Sequence, residues 1–188
     1  MTAPMTFLAL DHLKKAKPIL VDTNILYAWM PIPGEQPNSS VPGDVLAEII
    51  SKGVPVLINS HVLSEYINLY VRNYAHAHKS ELNGDLNTNY EYKHNFRNTD
   101  IYERLIQNAV EVIYDFLDNQ GLDIIYSDTK DNLTKEALTI MTQSRVDFTD
   151  AVLFLIALQH GASILTNDSD LSKLDIPGIS APSILTAQ

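Results

Sequence analysis

Pro18-Ile19-Leu20-Val21-Asp22-Thr23-Asn24 is the stretch that decides the fold. The apolar, β-branched run ending at Val21 reads as a strand buried on both faces, the signature of a parallel sheet. It stops at a carboxylate, and two polar residues able to turn the chain lead into the helical-looking Ile25-Leu26-Tyr27-Ala28-Trp29. In open α/β sheets the ligand crevice lies outside the carboxyl ends of the strands. Asp22 therefore stands on the functional edge.

Further along, strands and helices alternate. Pro42 to Lys52 has helical character ending at Gly53, and Pro55 to Ile58 reads as a second strand. Ser60 is the expected N-cap of a helix from His61 to about Ala77, with Leu63, Tyr66, Ile67, Tyr70 and Tyr74 at helical spacing. A long helix from about Thr99 to Asn119 stops at Gly121, Leu122 to Tyr126 is a third strand, and Asp131 to Gln143 is helical. Asp147 opens another helix, apolar on every side from Ala151 to Leu158, with Gly161 in the C′ position. Ser163 to Thr166 is a fourth strand.

This alternation predicts an α/β fold: a mostly parallel central sheet with helices on both faces, a Rossmann-like three-layer arrangement. Residues 1–188 read as a single domain without internal repeats. The polar stretch at about 78–98 is longer than an ordinary connection and reads as an insertion within that domain, either functional or mobile.

Composition narrows the chemistry. A 188-residue domain with 45% hydrophobic residues can bury a substantial core. The absence of cysteine removes disulfides, thiolate nucleophiles and Cys-based zinc sites, and fits a reducing, cytoplasmic compartment. The longest apolar run, Ala151 to Leu158, is far short of the roughly 20 residues of a bilayer-spanning helix, and the N-terminus lacks a signal-peptide pattern, so a soluble protein without a membrane partner is expected. A net charge of −10 argues against nucleic-acid binding by global attraction. It leaves a nuclease open, because cations held by an acidic cluster can supply the charge that phosphate requires.

Right-handed crossovers place the end of each parallel strand and the start of the following helix at the same edge of the sheet. Asp22 ends the first strand, and Glu65 lies in the first turns of the helix after the second. Asp150 lies in the first turn of the helix before the fourth strand, and Asp168 follows that strand. Four carboxylates from distant segments should thus reach one crevice. Like charges about 4 Å apart repel by roughly 1 kcal/mol in water and roughly 4 at an effective dielectric constant of 20, and a hard divalent cation relieves that repulsion. Oxygen-only ligands suit Mg²⁺ or Mn²⁺ better than Zn²⁺. Such an ion suits phosphodiester hydrolysis.

Each residue also has a plainer reading. Asp22-Thr23-Asn24 could be an Asx turn, Asp147 a helix cap with Asp150 favoured by the dipole, Asn167-Asp168-Ser169-Asp170 a turn, and Glu65 a solvated helix residue. Their joint placement favours a site.

These residues carry a resemblance. Ile19 to Asn24, Ser64-Glu65, Asp150-Ala151-Val152 and Leu165-Thr166-Asn167-Asp168-Ser169-Asp170-Leu171 resemble, in order and spacing, the PIN-domain ribonucleases, including the VapC-type toxins of bacterial toxin–antitoxin pairs. The resemblance covers most of the chain outside 78–98. It implies a PIN-like fold and a Mg²⁺- or Mn²⁺-dependent endoribonuclease acting on RNA, with Asp22, Glu65, Asp150 and Asp168 as catalytic, metal-binding acids. Asn24 and Thr166 would orient them, while Asp147 and Asp170 would bind through water or merely cap and turn. An antitoxin protein as partner and a homodimer are also implied. Two departures are that the chain is longer than the usual toxin and that Leu171 stands where an aromatic is common.

The alternative is a catalytically inactive PIN-like module that binds protein or RNA. Phosphoryl transfer through an aspartyl phosphate is disfavoured: a dehalogenase-type phosphatase would want an Asp where Asn24 stands. A receiver would want an Asp near Asn59 and a Lys after Leu165.

Between Tyr70 and Arg97 the residues Arg72, Lys79, Lys93 and Arg97 interleave with Tyr74, Tyr90, Tyr92 and Phe96, a mixture able to stack bases and neutralise phosphates. The competing reading makes Tyr70 and Tyr74 core residues and the rest a solvated loop, since Glu81, Asp85 and Glu91 offset the basic charge. His76 and His78 face different sides of a helix and are not expected to ligate a metal. Tyr27 and Trp29 are expected to pack.

Overall fold

Ile19, Leu20 and Val21 are each at most 1% exposed, as a strand covered on both faces requires. They form β1 (Ile19–Val21), the centre of a five-stranded sheet. The computed structural model describes residues 17–33, 41–78, 92, 94–118, 123–126, 132–144, 146–168, 171 and 182–186. In chain order they form β1, α1 (Thr23–Trp29), α2 (Val41–Ser51), β2 (Val56–Ile58), α3 (Ser60–Ala77), a 3₁₀ turn at Phe96–Asn98, α4 (Asp100–Leu117), β3 (Ile124–Tyr126), α5 (Leu133–Ser144), α6 (Phe148–His160), β4 (Ser163–Thr166) and β5 (Ile184–Thr186).

The strand order is β3-β2-β1-β4-β5 and every pairing is parallel. The chain steps outward from β1 through β2 to β3, then crosses back to β4 on the other side of β1. Right-handed connections put α1 to α4 on one face and the returning α5 and α6 on the other. Consistent with this, α1 packs on α2 and α3, α3 on α4, and α5 on α6. The α/β fold with helices on both faces is therefore as expected. The reversal of direction makes the gap between the carboxyl ends of β1 and β4 the topological switch point, where ligands bind in such sheets.

The helices differ as their sequences require. Leu105, Ala109, Ile113 and Phe116 form one buried stripe on α4, an amphipathic helix with its other side in solvent. On α6, Ala151, Val152, Leu153, Phe154, Ile156 and Ala157 are all buried, and the helix lies against β1 and β4. Gly161 ends it with φ 61°, the left-handed conformation that glycine adopts without a Cβ clash. Gly43 has a different purpose: a Cβ there would come within 2.6 Å of the Ala28 carbonyl oxygen, so its absence lets α2 lie backbone to backbone on α1.

One expectation is corrected. Asn59, not Ser60, caps α3: its extended backbone lets Oδ1 accept from the His61 and Val62 amides at 2.8 and 3.1 Å, and Ser60 is already helical. The strand β5 was not foreseen, although Ser183 to Thr186 has the same Ser-Ile-Leu-Thr sequence as β4; it pairs in parallel with β4 at the edge of the sheet. Tyr27 and Trp29 pack as expected, Tyr27 against Tyr66 and Trp29 edge-on to Phe116. Most of the stretch at 78–98 lies outside the described residues, as do Lys79, Tyr90 and Lys93. No described helix is long and apolar enough to cross a membrane.

Candidate active site

Asp22 occupies two structural positions at once. It follows the last residue of β1, its amide donating to the Leu165 carbonyl at 3.0 Å, and it is the N-cap of α1. That double placement leaves its side chain at the mouth of the switch point, 8% exposed. Both carboxylate oxygens have donors: Oδ1 accepts from the Thr23 amide and Oδ2 from the Thr166 hydroxyl, each at 2.6 Å. Thr166, the fully buried last residue of β4, also accepts at Oγ1 from the Asp168 amide at 2.9 Å. One hydroxyl thus fixes the Asp22 carboxylate and the backbone that presents Asp168.

A second hydroxyl ties in Glu65. Thr23 Oγ1 donates to Glu65 Oε2 at 3.0 Å, joining the start of α1 to α3. The adjacent Tyr66 is fully buried and donates its hydroxyl to the Met30 carbonyl at 2.8 Å. This locks the rotation of α3 and leaves Glu65 on the exposed side, toward the cleft. On α6, the Asp147 side chain caps the helix by accepting from the Asp150 amide at 2.8 Å, and Asp150 lies in the first turn.

Asp22, Glu65, Asp150 and Asp168 all line a single cleft of about 200 Å³. Asp147 lines it too, so its capping role and a place at the site coexist. Asp170 lies outside the described residues. Leu171 is fully buried, so the position where an aromatic was expected is filled by an aliphatic core residue. His78 stacks on Tyr74, with ring centroids 4.0 Å apart, and neither His76 nor His78 lines the cleft.

The electrostatics follow from this crowding. Burial pushes the Asp22 carboxyl above its ordinary value; the hydrogen bonds from Thr166 and Thr23 pull it back, and repulsion from Glu65 and Asp168 adds to the rise. The site therefore holds a desolvated carboxylate among other acids, a charge arrangement that a cation would relieve.

Three features fit a hard divalent cation. The acidic donors lining the cleft are all carboxylate oxygens, Asp22 is destabilised by its acidic neighbours, and Asn24 Oδ1 is buried without a hydrogen-bond partner. As the side chains stand, no three His, Cys, Asp or Glu residues among those described are grouped closely enough to surround one ion.

The sequence reading did not anticipate the Thr23–Glu65 bond, nor that Asn68, Leu69, Arg72 and Thr149 line the cleft. The signal for three of them was present. Glu65, Asn68, Leu69 and Arg72 follow i, i+3, i+4, i+7 spacing and so share one stripe of α3.

Comparison with known proteins bears on the fold and the family. The model of the PIN domain family matches residues 19–177. No curated protein matches the chain significantly. Among solved structures, VapC20 of Mycobacterium tuberculosis, a sarcin-ricin loop cleaving toxin, superposes with a TM-score of 0.53 at 18% identity, over 86% of this chain and 98% of its own. VapBC2 of Rickettsia felis, bound to a DNA fragment from its promoter, gives 0.52 at 14% identity over 91% and 99%. FitAcB of Neisseria gonorrhoeae gives 0.51 at 12% identity over 90% and 97%. These likenesses establish the fold, and together with the family match over most of its length they mean that this chain belongs to the PIN domain family.

Proposed function

We propose that this protein is a Mg²⁺- or Mn²⁺-dependent endoribonuclease and the toxin member of a toxin–antitoxin pair, acting in the cytoplasm. The observation that carries the proposal is the Asp22 carboxylate, held at the switch point by Thr166 and lining one cleft with Glu65, Asp150 and Asp168. Asp22, Glu65, Asp150 and Asp168 would hold the cation, with Asn24 Oδ1 as a neutral oxygen donor. A bound divalent ion supplies Lewis acidity, activating water and offsetting charge on the phosphoryl oxygens. The protein's own groups divide the remaining tasks. Asp22 is the fixed acid, because two donors hold it before anything binds. Glu65 is the adjustable one: it is exposed, and a single hydroxyl holds it.

An antitoxin partner is supported by the likeness to VapBC2, and RNA cleavage by the likeness to the sarcin-ricin loop cleaving VapC20; a homodimer rests on the family resemblance alone, and all three are parts of the proposal. The test is incubation of the purified protein with RNA, with Mn²⁺ or with EDTA, beside the Asp22→Asn variant. Cleavage that needs both the metal and Asp22 is expected. Cleavage that survives EDTA or the substitution rejects the proposal. Metal-independent RNA binding without any cleavage would favour the inactive binding module.

A further inference from the structure

Arg72 is the basic residue among the described cleft-lining residues, which otherwise include five carboxylates. It lies seven positions after Glu65 on the same stripe of α3, about 10 Å further along the helix at 1.5 Å per residue. Its guanidinium carbon sits 5.8 Å from the centroid of the Tyr92 ring. Arg97 approaches the same ring at 5.6 Å and the Tyr102 ring at 5.8 Å. Phe96 closes the group, edge-on to Tyr102 and tilted against Tyr92. Arg72 and Arg97 are exposed, and neither forms an ion pair with a carboxylate among the described residues.

We infer that Arg72, Tyr92 and Arg97 form a nucleotide subsite beside the acidic cleft, binding a phosphate and base of single-stranded RNA next to the bond that is cut. The inference rests on the ribonuclease reading for the identity of the polymer. In a chain of net charge −10, nothing attracts a polyanion from a distance, so local cations must hold it. A guanidinium presents several N–H donors in a plane and bonds a phosphate in bidentate fashion, while its face rests on an aromatic ring. Arg72 is placed for both roles, since it lines the cleft and its guanidinium lies by the Tyr92 ring. Tyr92 is half-buried with two guanidiniums over its ring, an arrangement that can extend onto a stacked base. In this subsite Arg72, two helical turns along α3 from Glu65, takes the phosphate neighbouring the one attacked.

The experiment reads binding apart from cleavage. Full-length protein carrying Asp22→Asn is titrated by fluorescence anisotropy with a short mixed-sequence oligoribonucleotide at several salt concentrations. Arg72→Gln and Arg97→Gln are then added to that background, and each should weaken binding roughly tenfold or more and lower the log–log salt slope by about 0.7 per lost phosphate contact. Arg72→Lys should keep the slope while losing part of the affinity. A poly-glutamate peptide serves as the competing anion. Unchanged affinity and slope in both glutamine variants, with melting temperatures intact, overturn the subsite even if the wild-type protein cleaves RNA. Poly-glutamate binding that falls as much as RNA binding also overturns it, in favour of an acidic protein segment. A wild-type protein that binds RNA through these residues yet never cleaves it would instead refute the nuclease reading and leave the subsite standing.

Discussion

The Thr166 hydroxyl donates to Asp22 Oδ2 at 2.6 Å across 144 positions of sequence, linking the carboxyl ends of the two strands that flank the switch point. Because the same oxygen accepts from the Asp168 amide, the position of one acid depends on the backbone that carries another. Thr166→Val keeps the shape and removes both bonds. It should lower metal affinity or cleavage by roughly 10- to 100-fold, the usual effect of losing a residue that orients a ligand. Stability should fall by about 1–3 kcal/mol, because a buried acceptor and an amide lose their partner. Thr166→Ser should restore most of both. Metal titration and chemical denaturation of the three proteins test this, and an unimpaired valine variant would remove Thr166 from the site.

Asp22→Asn should abolish cleavage and also change the pH dependence of folding in EDTA. Burial raises the Asp22 carboxyl above the unfolded value of 3.8, so between those values the folded state binds more protons than the unfolded one. Its contribution to stability therefore falls as pH rises from 3.8 through the raised value, and the full cost is present above it. Below 3.8 both states are protonated and the cost vanishes. The difference in unfolding free energy between Asp22→Asn and the wild type should thus move in the variant's favour as pH increases through that window. A difference that is flat, or moves the other way, contradicts the environment described for Asp22.

Divalent cations should stabilise the folded chain, because the unfolded chain scatters the acids that the fold gathers. At a free Mn²⁺ concentration 100 times its dissociation constant the gain is about 2.7 kcal/mol. Thermal unfolding with and without Mn²⁺ measures it. Equal melting temperatures at saturating Mn²⁺, or an equal gain in Asp22→Asn, would argue against this metal site.

Gly43→Ala should destabilise the fold by about 1–3 kcal/mol, as overpacking does. Alanine's better helix propensity returns up to about 1 kcal/mol, but the added Cβ meets the Ala28 carbonyl, a backbone atom that cannot rotate away. Gly43 does not line the cleft, so the folded fraction should retain its cleavage rate. Urea denaturation decides the matter, and an alanine variant as stable as the wild type would show that α1 and α2 can separate without cost.

Much was determined locally. The unbroken apolar run at Ile19 to Val21, the all-round apolar helix after Asp147 and the stop at Gly161 are signals contained within a few turns of chain. Parallel order and right-handed connections bring Asp22, Glu65, Asp150 and Asp168 toward one edge, and all four line one cleft. The remaining relationships depend on the sheet register. Asp22 meets Thr166 only because Val21 pairs with Leu165, and Ile184 to Thr186 pair in parallel with β4 at the edge of the sheet. Arg72 shares the cleft wall with Glu65 because the buried Tyr66, its hydroxyl bonded to the Met30 carbonyl, fixes which stripe of α3 faces that way. Periodicity records which face of an element turns inward; which side chains then meet across distant segments, and how far a carboxyl is desolvated, depends on the packed three-dimensional arrangement.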